Sequence, residues 1–241
     1  EEIHNFVMGH FFNNYYFELD DTIYLFTSGR YEYKNKGLDM FIDSLVRLNE
    51  LLKQKQSTKT IVAFIITKAE IKNININVLT EHSMFNDLQE TCEEISKESE
   101  KTLLRFAARG ETPSVDDIIP EHSKMKLERL YLAWKRKELP TIVTHELKNP
   151  ENDKILKKIR ESGLYNQKDS PVKLIYHPDF LRPTSPILGM EYDQFVRGCH
   201  MGIFPSYYEP WGYTPLECVA LGLPSITTDL SGFGAYVYKN L

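Results

Sequence analysis

Residues 60–67, with the sequence TIVAFIIT, constrain the fold of this chain more than any other segment. The residues between the two threonines are all apolar, and isoleucine, valine and phenylalanine favour an extended backbone. A strand without polar and apolar alternation is buried on both faces, which is typical of a parallel sheet covered by helices on each side. The run therefore predicts the interior of an α/β domain.

Strand-like and helix-like segments alternate on both sides of this run. Further strands are predicted at residues 22–28, 172–176, 201–204 and 224–228, and helices at residues 37–55, 192–199 and 216–221. Such alternation implies parallel βαβ units with right-handed crossovers. The predicted fold is a Rossmann-like, doubly wound α/β domain made of residues 1–76 and 138–241.

Residues 77–137 break the alternation and are predicted to form a helical insertion. Apolar residues recur there at helical intervals on both sides of a turn containing Pro113 and Pro120, which indicates two amphipathic helices. Two interpretations stay open for this helical hairpin. It packs on its own domain, or it projects and contacts another subunit.

Composition excludes some classes of function. The formal charge of -5 argues against bulk attraction to nucleic acid or to acidic membranes. Three cysteines without a C-x-x-C pair favour a reduced, cytoplasmic setting. No apolar run approaches the roughly 20 residues of a membrane span, and no signal peptide is visible. The chain begins without methionine and is expected to be a piece of a longer protein.

Residues 206–217, SYYEPWGYTPLE, follow one predicted strand and lead into a helix. Thr214 is predicted as the N-cap, Pro215 as the first helical residue and Glu217 as the partner that closes a capping box. A helix that starts at the carboxyl end of a strand points free N–H groups into the crevice where α/β sheets bind ligands. A diphosphate is predicted to bind there.

Charged residues near this crevice are candidates for chemistry. Arg30 and Lys36 follow the first predicted strand and are expected on the same rim, where they either hold a diphosphate or form a solvated basic turn. Glu209 either binds sugar hydroxyls and stabilises positive charge on a sugar ring, or is a surface turn residue.

Aromatic residues suggest a binding wall. Four lie within residues 207–213, including Trp211 and Tyr213, and either face a sugar or base or belong to the core. Phe180 and Tyr192 either stack on a base or pack in the core. The seven histidines show no metal-ligand spacing, and no P-loop or G-x-G-x-x-G motif is present. The segment at residues 231–234 is glycine-rich but too short for such a motif. No metal or cofactor is predicted.

Several of these segments resemble the eukaryotic glycogen (starch) synthases of the animal and fungal type. They are residues 28–37 (SGRYEYKNKG), 197–200 (RGCH), 204–215 (FPSYYEPWGYTP) and 224–228 (PSITT). The resemblance spans nearly the whole chain and is weakest from about residue 68 to 140. These motifs are long and rich in rare residues.

The resemblance implies a retaining glucosyltransferase of the two-domain GT-B type, which extends an α-1,4-glucan from UDP-glucose without a metal ion. It implies that Glu209 serves the transferred glucose, that Glu217 serves the ribose, and that Arg30 and Lys36 neutralise the diphosphate. The remaining substrate-binding residues that it implies are Gly212, Tyr213 and Thr214 at the phosphates, Phe180 and Tyr192 at the uracil, and Trp211 and His200.

The resemblance also implies partners. These are UDP-glucose or UDP, a glycogen acceptor, glycogenin, and further copies of the chain in a homo-oligomer, a tetramer, formed through the helical insertion. The family's acceptor domain and its glucose 6-phosphate-sensing helix are expected outside this chain, so the isolated fragment is expected to be inactive. Two alternatives stay open: another GT-B glycosyltransferase or phosphorylase-like enzyme, and a non-catalytic assembly module.

Overall fold

A computed structural model describes residues 1–240 of the chain. Its helices are α1 (Glu2–Phe11), α2 (Leu38–Gln54), α3 (Ile76–Ala108), α4 (Val115–Ile118), α5 (Glu121–Trp134), α6 (Lys154–Ser162), α7 (Tyr192–Gly198), α8 (Tyr213–Ala220) and α9 (Gly232–Asn240). Its strands are β1 (Thr22–Gly29), β2 (Thr60–Thr67), β3 (Ile71–Ile74), β4 (His145–Leu147), β5 (Val172–His177), β6 (Met201–Phe204) and β7 (Ser225–Thr227).

Five strands form one parallel sheet in the order β5-β2-β1-β6-β7. The strand β2 is buried along its whole length and lies between β5 and β1, as its apolar sequence predicts. Thr22 of β1 is in register with Thr60 of β2, and Gly29 with Thr67. Because all five strands run in one direction, their carboxyl ends share one rim. The loops that follow the strands therefore meet there.

Helices cover both faces of the sheet. Alternate residues of β1 point to opposite sides, so Phe26 belongs to one buried cluster and Leu25 to the other. The first cluster includes side chains of α1 and α7, and the second includes side chains of α2 and α6. The predicted doubly wound α/β fold is confirmed.

The chain between β3 and β4 contains the helices α3, α4 and α5. At 33 residues, α3 is about 50 Å long, and its amino-terminal part packs on α1. Trp134 near the end of α5 donates from Nε1 to the Glu81 carbonyl at 3.1 Å, and its ring lies 5.4 Å from that of Phe85. The two predicted helices are confirmed, with the short α4 between them. The boundary at residue 77 falls in the first turn of α3.

Several elements were missed by the sequence interpretation: α1, α6, α9 and the antiparallel pair β3–β4. The signals for α6 were present. Asp153 caps its start by accepting a hydrogen bond from Leu156 N at 2.8 Å, and Gly163 ends it with φ of 72°. The three residues of β4 are too few to show periodicity.

Candidate functional site

A cavity of about 540 Å³ opens at the carboxyl rim of the sheet. It lies beyond the ends of β1, β2 and β5 and beside the first turn of α8. Polar and aromatic side chains on its walls belong to Arg30, Lys68, Asp179, Phe180, Tyr192 and Thr214. The structure thus brings together four of the predicted site residues, Arg30, Phe180, Tyr192 and Thr214. It adds Lys68 and Asp179, which the sequence interpretation missed.

Lys36 and Glu209 form an ion pair beside this rim, between Nζ of the lysine and Oε2 of the glutamate. Their side chains are only 14% and 15% exposed. A pair so shielded from water interacts more strongly than one on an open surface. The prediction that the loops after β1 and β6 converge at one rim is confirmed by this contact.

The two loops are also held together through their backbones. Tyr207 N donates to the Asn35 carbonyl at 2.9 Å. Gly37 has φ of 63°, and a Cβ atom there would lie 1.8 Å from the Pro205 carbonyl oxygen. Only glycine permits both this backbone conformation and this approach. Gly37 therefore fixes the distance between the loop that carries Lys36 and the loop that carries Glu209.

Arg30 lies at the cavity wall with most of its side chain in solvent. That side chain is 78% exposed and pairs with Glu32 at 3.1 Å. An exposed pair of this kind contributes little to stability. The guanidinium has five N–H donors, so it retains donors for an anion after pairing with Glu32.

The start of α8 differs from the sequence prediction. The sequence predicts Thr214 as the N-cap, but the helix begins at Tyr213 and its N-cap is Gly212, with φ of 104°. Thr214 lies in the first turn and lines the cavity. The capping box with Glu217 is therefore wrong, because the left-handed turn at Gly212 starts the helix two residues earlier. The Glu217 side chain is exposed. Its negative charge adds a smaller contribution to the raised pKa of Tyr192, which is due mainly to burial.

The turn at residues 209–212 is held from its other side by α9. Gly232 N donates to the Glu209 carbonyl at 3.1 Å, and Phe233 N donates to the Trp211 carbonyl at 2.6 Å. A Cβ atom on Gly232 would lie 2.3 Å from the Pro210 carbonyl oxygen. The glycine-rich segment at residues 231–234, which carries no phosphate-loop motif, thus supports the turn that positions Glu209.

Two predicted wall residues lie elsewhere. The Trp211 ring packs against Phe233 and Tyr236 of α9, at 6.3 Å from each ring centroid, and is absent from the cavity wall. Tyr213 is 68% exposed and also lies outside that wall. The aromatic residues at 207–213 therefore contribute less to the cavity wall than the sequence predicts, since Trp211 packs against α9 instead.

His200 is also displaced from the predicted site. It precedes β6, accepts a hydrogen bond at Nδ1 from Tyr24 N at 3.0 Å, and donates its backbone N–H to the Tyr24 carbonyl at 2.8 Å. Because the carboxyl rim lies beyond Phe204, His200 is at the opposite end of a short strand from the cavity. The structure gives no contact that supports its predicted substrate-binding role at this rim.

Phe180 forms the outer wall of the cavity and is 60% exposed. Lys68 Nζ lies 5.7 Å from its ring centroid and pairs with Asp179 Oδ1 at 2.5 Å. Burial raises the pKa of Asp179, but hydrogen bonds from Lys68 and from Phe180 N outweigh this, and its pKa is lowered overall. Asp179 is therefore ionised at neutral pH and anchors the ammonium.

Tyr192 forms the inner wall. Its phenol oxygen lies 2.7 Å from Ser28 Oγ, at the end of β1. Burial raises the pKa of Tyr192 above its ordinary value, so the phenol stays protonated and can donate a hydrogen bond. The cavity thus has a polar, neutral inner wall and a charged outer wall.

Metal clusters and membrane-spanning helices are both absent from the described residues. Within residues 1–240, no group of three or more histidine, cysteine, aspartate or glutamate side chains is placed to hold a metal ion. In the same residues, none of the helices combines the length and the apolar character that crossing a bilayer requires.

The parallel sheet with a cavity at its carboxyl rim places this chain among the Rossmann-like, ligand-binding α/β domains. A family model described as glycogen synthase matches residues 1–241. The chain belongs to the glycogen synthase family.

Curated relatives agree with this assignment. The chain is 46% identical to glycogen [starch] synthase isoform 1 of Saccharomyces cerevisiae, over 98% of this chain and 35% of that protein. It is 43% identical to the liver glycogen [starch] synthase of Homo sapiens, over 99% of this chain and 34% of that protein. The chain thus spans about a third of the length of these relatives. An apo structure of OtsA covers 92% of this chain and 32% of its own, with a TM-score of 0.42 and 12% identity, which adds nothing to the fold described above.

Proposed function

We propose that this chain carries the donor-nucleotide half of a glycogen synthase. The complete enzyme would be a retaining GT-B glycosyltransferase that moves glucose from UDP-glucose to the non-reducing end of an α-1,4-glucan. One observation carries the proposal: the Lys36–Glu209 pair lies at the same rim as the first turn of α8. Glycosyl transfer from a nucleoside diphosphate sugar needs groups of these kinds: cations and free helix N–H groups for the diphosphate, and a carboxylate for the sugar.

The diphosphate would lie between the cations and α8. Departure of UDP places negative charge on the β-phosphate, and Lys36 and Arg30 would stabilise it, the first as a point charge and the second as a planar fork. Gly212, Tyr213 and Thr214 would present backbone N–H groups at the helix start, where the helix dipole adds to the attraction. Preorganised groups of this kind lower the barrier because they need no rearrangement as charge develops.

Glu209 would act on the sugar. Departure of the leaving group places positive charge on the anomeric carbon, and a shielded carboxylate next to that carbon would stabilise it or accept a hydrogen bond from a glucose hydroxyl. Because Lys36 and Glu209 are in contact, both side chains could lie beside the bond between the anomeric carbon and the β-phosphate oxygen, which breaks during transfer. Negative and positive charge would thus develop beside groups of opposite sign.

The nucleoside would occupy the cavity itself. Phe180 and Tyr192 would contact the uracil. Glu217, which lies in α8 about one turn beyond the residues proposed to bind the phosphates, would contact the ribose. With Arg30, Lys36 and α8 facing the diphosphate, we expect transfer to proceed without a metal or other cofactor. We also expect a cytoplasmic location, as for an enzyme whose substrates are a nucleotide sugar and a storage glucan.

Membership of the family also supports a proposal about partners. A glycogen acceptor and glycogenin would bind largely outside this chain, which is a third as long as its relatives. Residues 77–137 would mediate homo-oligomer contacts, since Leu104, Val115 and Leu132 are each more than 60% exposed there. We expect the chain by itself to bind UDP without sustaining turnover, because it spans only about a third of the length of these relatives.

Calorimetric titration of UDP into the chain tests the proposal. We expect saturable heat from the wild type and at least about a tenfold weaker affinity for Lys36→Ala, from the loss of a shielded charge contact to phosphate. Lys158→Ala is the matched control, because Lys158 pairs with Asp43 at 2.5 Å between α6 and α2 and does not line the cavity. Equal affinities for all three proteins, or no heat in any, would favour the non-catalytic assembly module.

A further inference from the structure

Lys68 is a cation at the cavity that the proposed mechanism leaves unused. It follows β2 directly, its side chain is 42% exposed, and its ammonium contacts both Asp179 and the face of Phe180. Arg30 and Lys36 lie after β1, so Lys68 is on the neighbouring strand, nearer to Phe180. In the proposed donor site this position would be at the nucleoside end and not at the diphosphate end.

The loop that carries Phe180 is held against the end of β2 by the Lys68–Asp179 ion pair and by a backbone hydrogen bond. Ala69 N donates to the Pro178 carbonyl at 3.2 Å, and Asp179 Oδ1 accepts from Phe180 N at 2.8 Å while it accepts from Lys68. A ring as exposed as Phe180 has little apolar packing to hold it. Lys68 and Asp179 therefore set its position, through one ion pair and one cation–π contact.

The ammonium has hydrogen-bonding capacity beyond these contacts. A lysine carries three N–H donors and no acceptor, and only one donor is directed at Asp179. Lys68 lines the cavity, so the other two donors remain available to a ligand there. Nζ lies over the Phe180 ring at 5.7 Å from its centroid, so a base that stacks on this same face would have its edge beside the ammonium.

We infer that Lys68 is a specificity-determining residue that reads the base of the nucleotide by donating to a keto oxygen. This inference rests on the proposed function, since it assigns the base end of the same donor site. Uracil carries two keto oxygens, cytosine replaces one of them with an amino group, and adenine has none. A donor that faces the edge where uracil has its 4-keto oxygen would meet an amino group in cytosine or adenine, and therefore favours uracil over both.

The test compares UDP, CDP and ADP by calorimetry in the wild type and in Lys68→Met, which keeps the length of the side chain but removes its charge and donors. We expect the UDP affinity to fall about three- to tenfold, as for one partly exposed charged hydrogen bond. The ADP affinity should change less than about twofold, since no keto contact is lost. Lys68→Arg should restore most of the preference for UDP over CDP.

Lys59→Met is the matched control. Lys59 also forms a lysine–aspartate pair, with Asp21, but at the amino end of the sheet and with a side chain 50% exposed. It should leave all three affinities unchanged, and its thermal unfolding should match that of Lys68→Met. An equal loss of affinity for all three nucleotides would overturn the inference and leave Lys68 with a positioning role. Affinities of Lys68→Met that equal those of the wild type would also overturn it. If the wild type bound no UDP, the proposed function itself would be wrong.

Discussion

Lys36 Nζ contacts Glu209 Oε2 across 173 residues of sequence. The pair joins the loop after β1 to the loop after β6, two neighbouring strands of the sheet. Each partner has a second task in the proposed mechanism, the lysine at the diphosphate and the glutamate at the sugar. Their ion pair keeps two opposite charges in a shielded place without leaving either uncompensated.

Glu209→Gln should separate these two tasks. The substitution removes the carboxylate that competes for Lys36, so the UDP affinity of the chain should stay equal or rise by up to about tenfold. In a complete enzyme, the transfer rate should fall by about 100-fold or more, as when one preorganised stabiliser of a transition state is lost. Calorimetry and a glucosyl-transfer assay measure the two effects. A tenfold loss of UDP affinity would show that Glu209 serves the nucleotide instead.

Gly37→Ala should loosen the junction between the two loops. A Cβ atom at this position meets the Pro205 carbonyl at 1.8 Å and forces a residue with φ of 63° into a strained conformation. We expect a loss of about 2–4 kcal/mol in the free energy of unfolding, from strain and overlap together.

Gly110→Ala is the control for Gly37→Ala, because Gly110 has φ of 70° but no atom of residues 1–240 within 4 Å of the position that a Cβ would take. It shares the backbone strain without the overlap, so it should cost only about 1 kcal/mol. Urea unfolding of both variants measures the difference. Equal losses of unfolding free energy in the two variants would mean that the backbone at Pro205 moves readily and that Gly37 does not fix the distance between the loops.

Stability should fall as the pH drops below about 6.5, the ordinary pKa of histidine. Burial lowers the pKa of His10 to about 4 and those of His82 and His177 to about 3. The unfolded chain binds protons in this range while the folded chain keeps these rings neutral. The stabilising contribution is therefore complete above pH 6.5 and is lost as the pH falls toward the folded-state pKa values.

His82→Phe should flatten this pH dependence. His82 stacks on Phe6 at 4.8 Å, and its Nε2 is buried without a hydrogen-bond partner among the described residues, so an apolar ring suits the position. Between pH 6 and 4 the slope of unfolding free energy should fall by up to about 1.4 kcal/mol per pH unit. His122→Phe, at an exposed position in α5, is the control. Identical slopes for both variants would contradict the assignment to His82.

Leu104→Glu should reduce self-association if the helical insertion mediates it. Leu104 is 64% exposed on the distal part of α3, and a charge in an apolar contact costs more than the contact supplies. We expect a shift toward the monomer in sedimentation velocity. Leu139→Glu is the control, since Leu139 is 49% exposed but follows α5. An association state that responds to neither variant would place the oligomer contact elsewhere.

Much of the fold follows from local patterns. The bounds of β2 and β6 agree with the sequence prediction, and α2 begins and ends within one residue of it. Strand burial and helix amphipathicity repeat every two or every 3.6 residues, so a short window contains the whole signal. The start of α8 was missed because the left-handed conformation of Gly212 competes with a plausible Thr-Pro cap, and residue types alone do not decide between them.

What the sequence determined by itself was the α/β class, the positions of the long strands and the chemical types of the residues that follow them. The tertiary structure decided which of those residues meet: Lys36 with Glu209, Lys68 with Asp179, and Trp211 with α9 instead of the cavity. It also placed His200 at the far end of β6. The reason is physical, because the strand order 5-2-1-6-7 sets which loops are neighbours, and that order depends on packing between segments far apart in the chain.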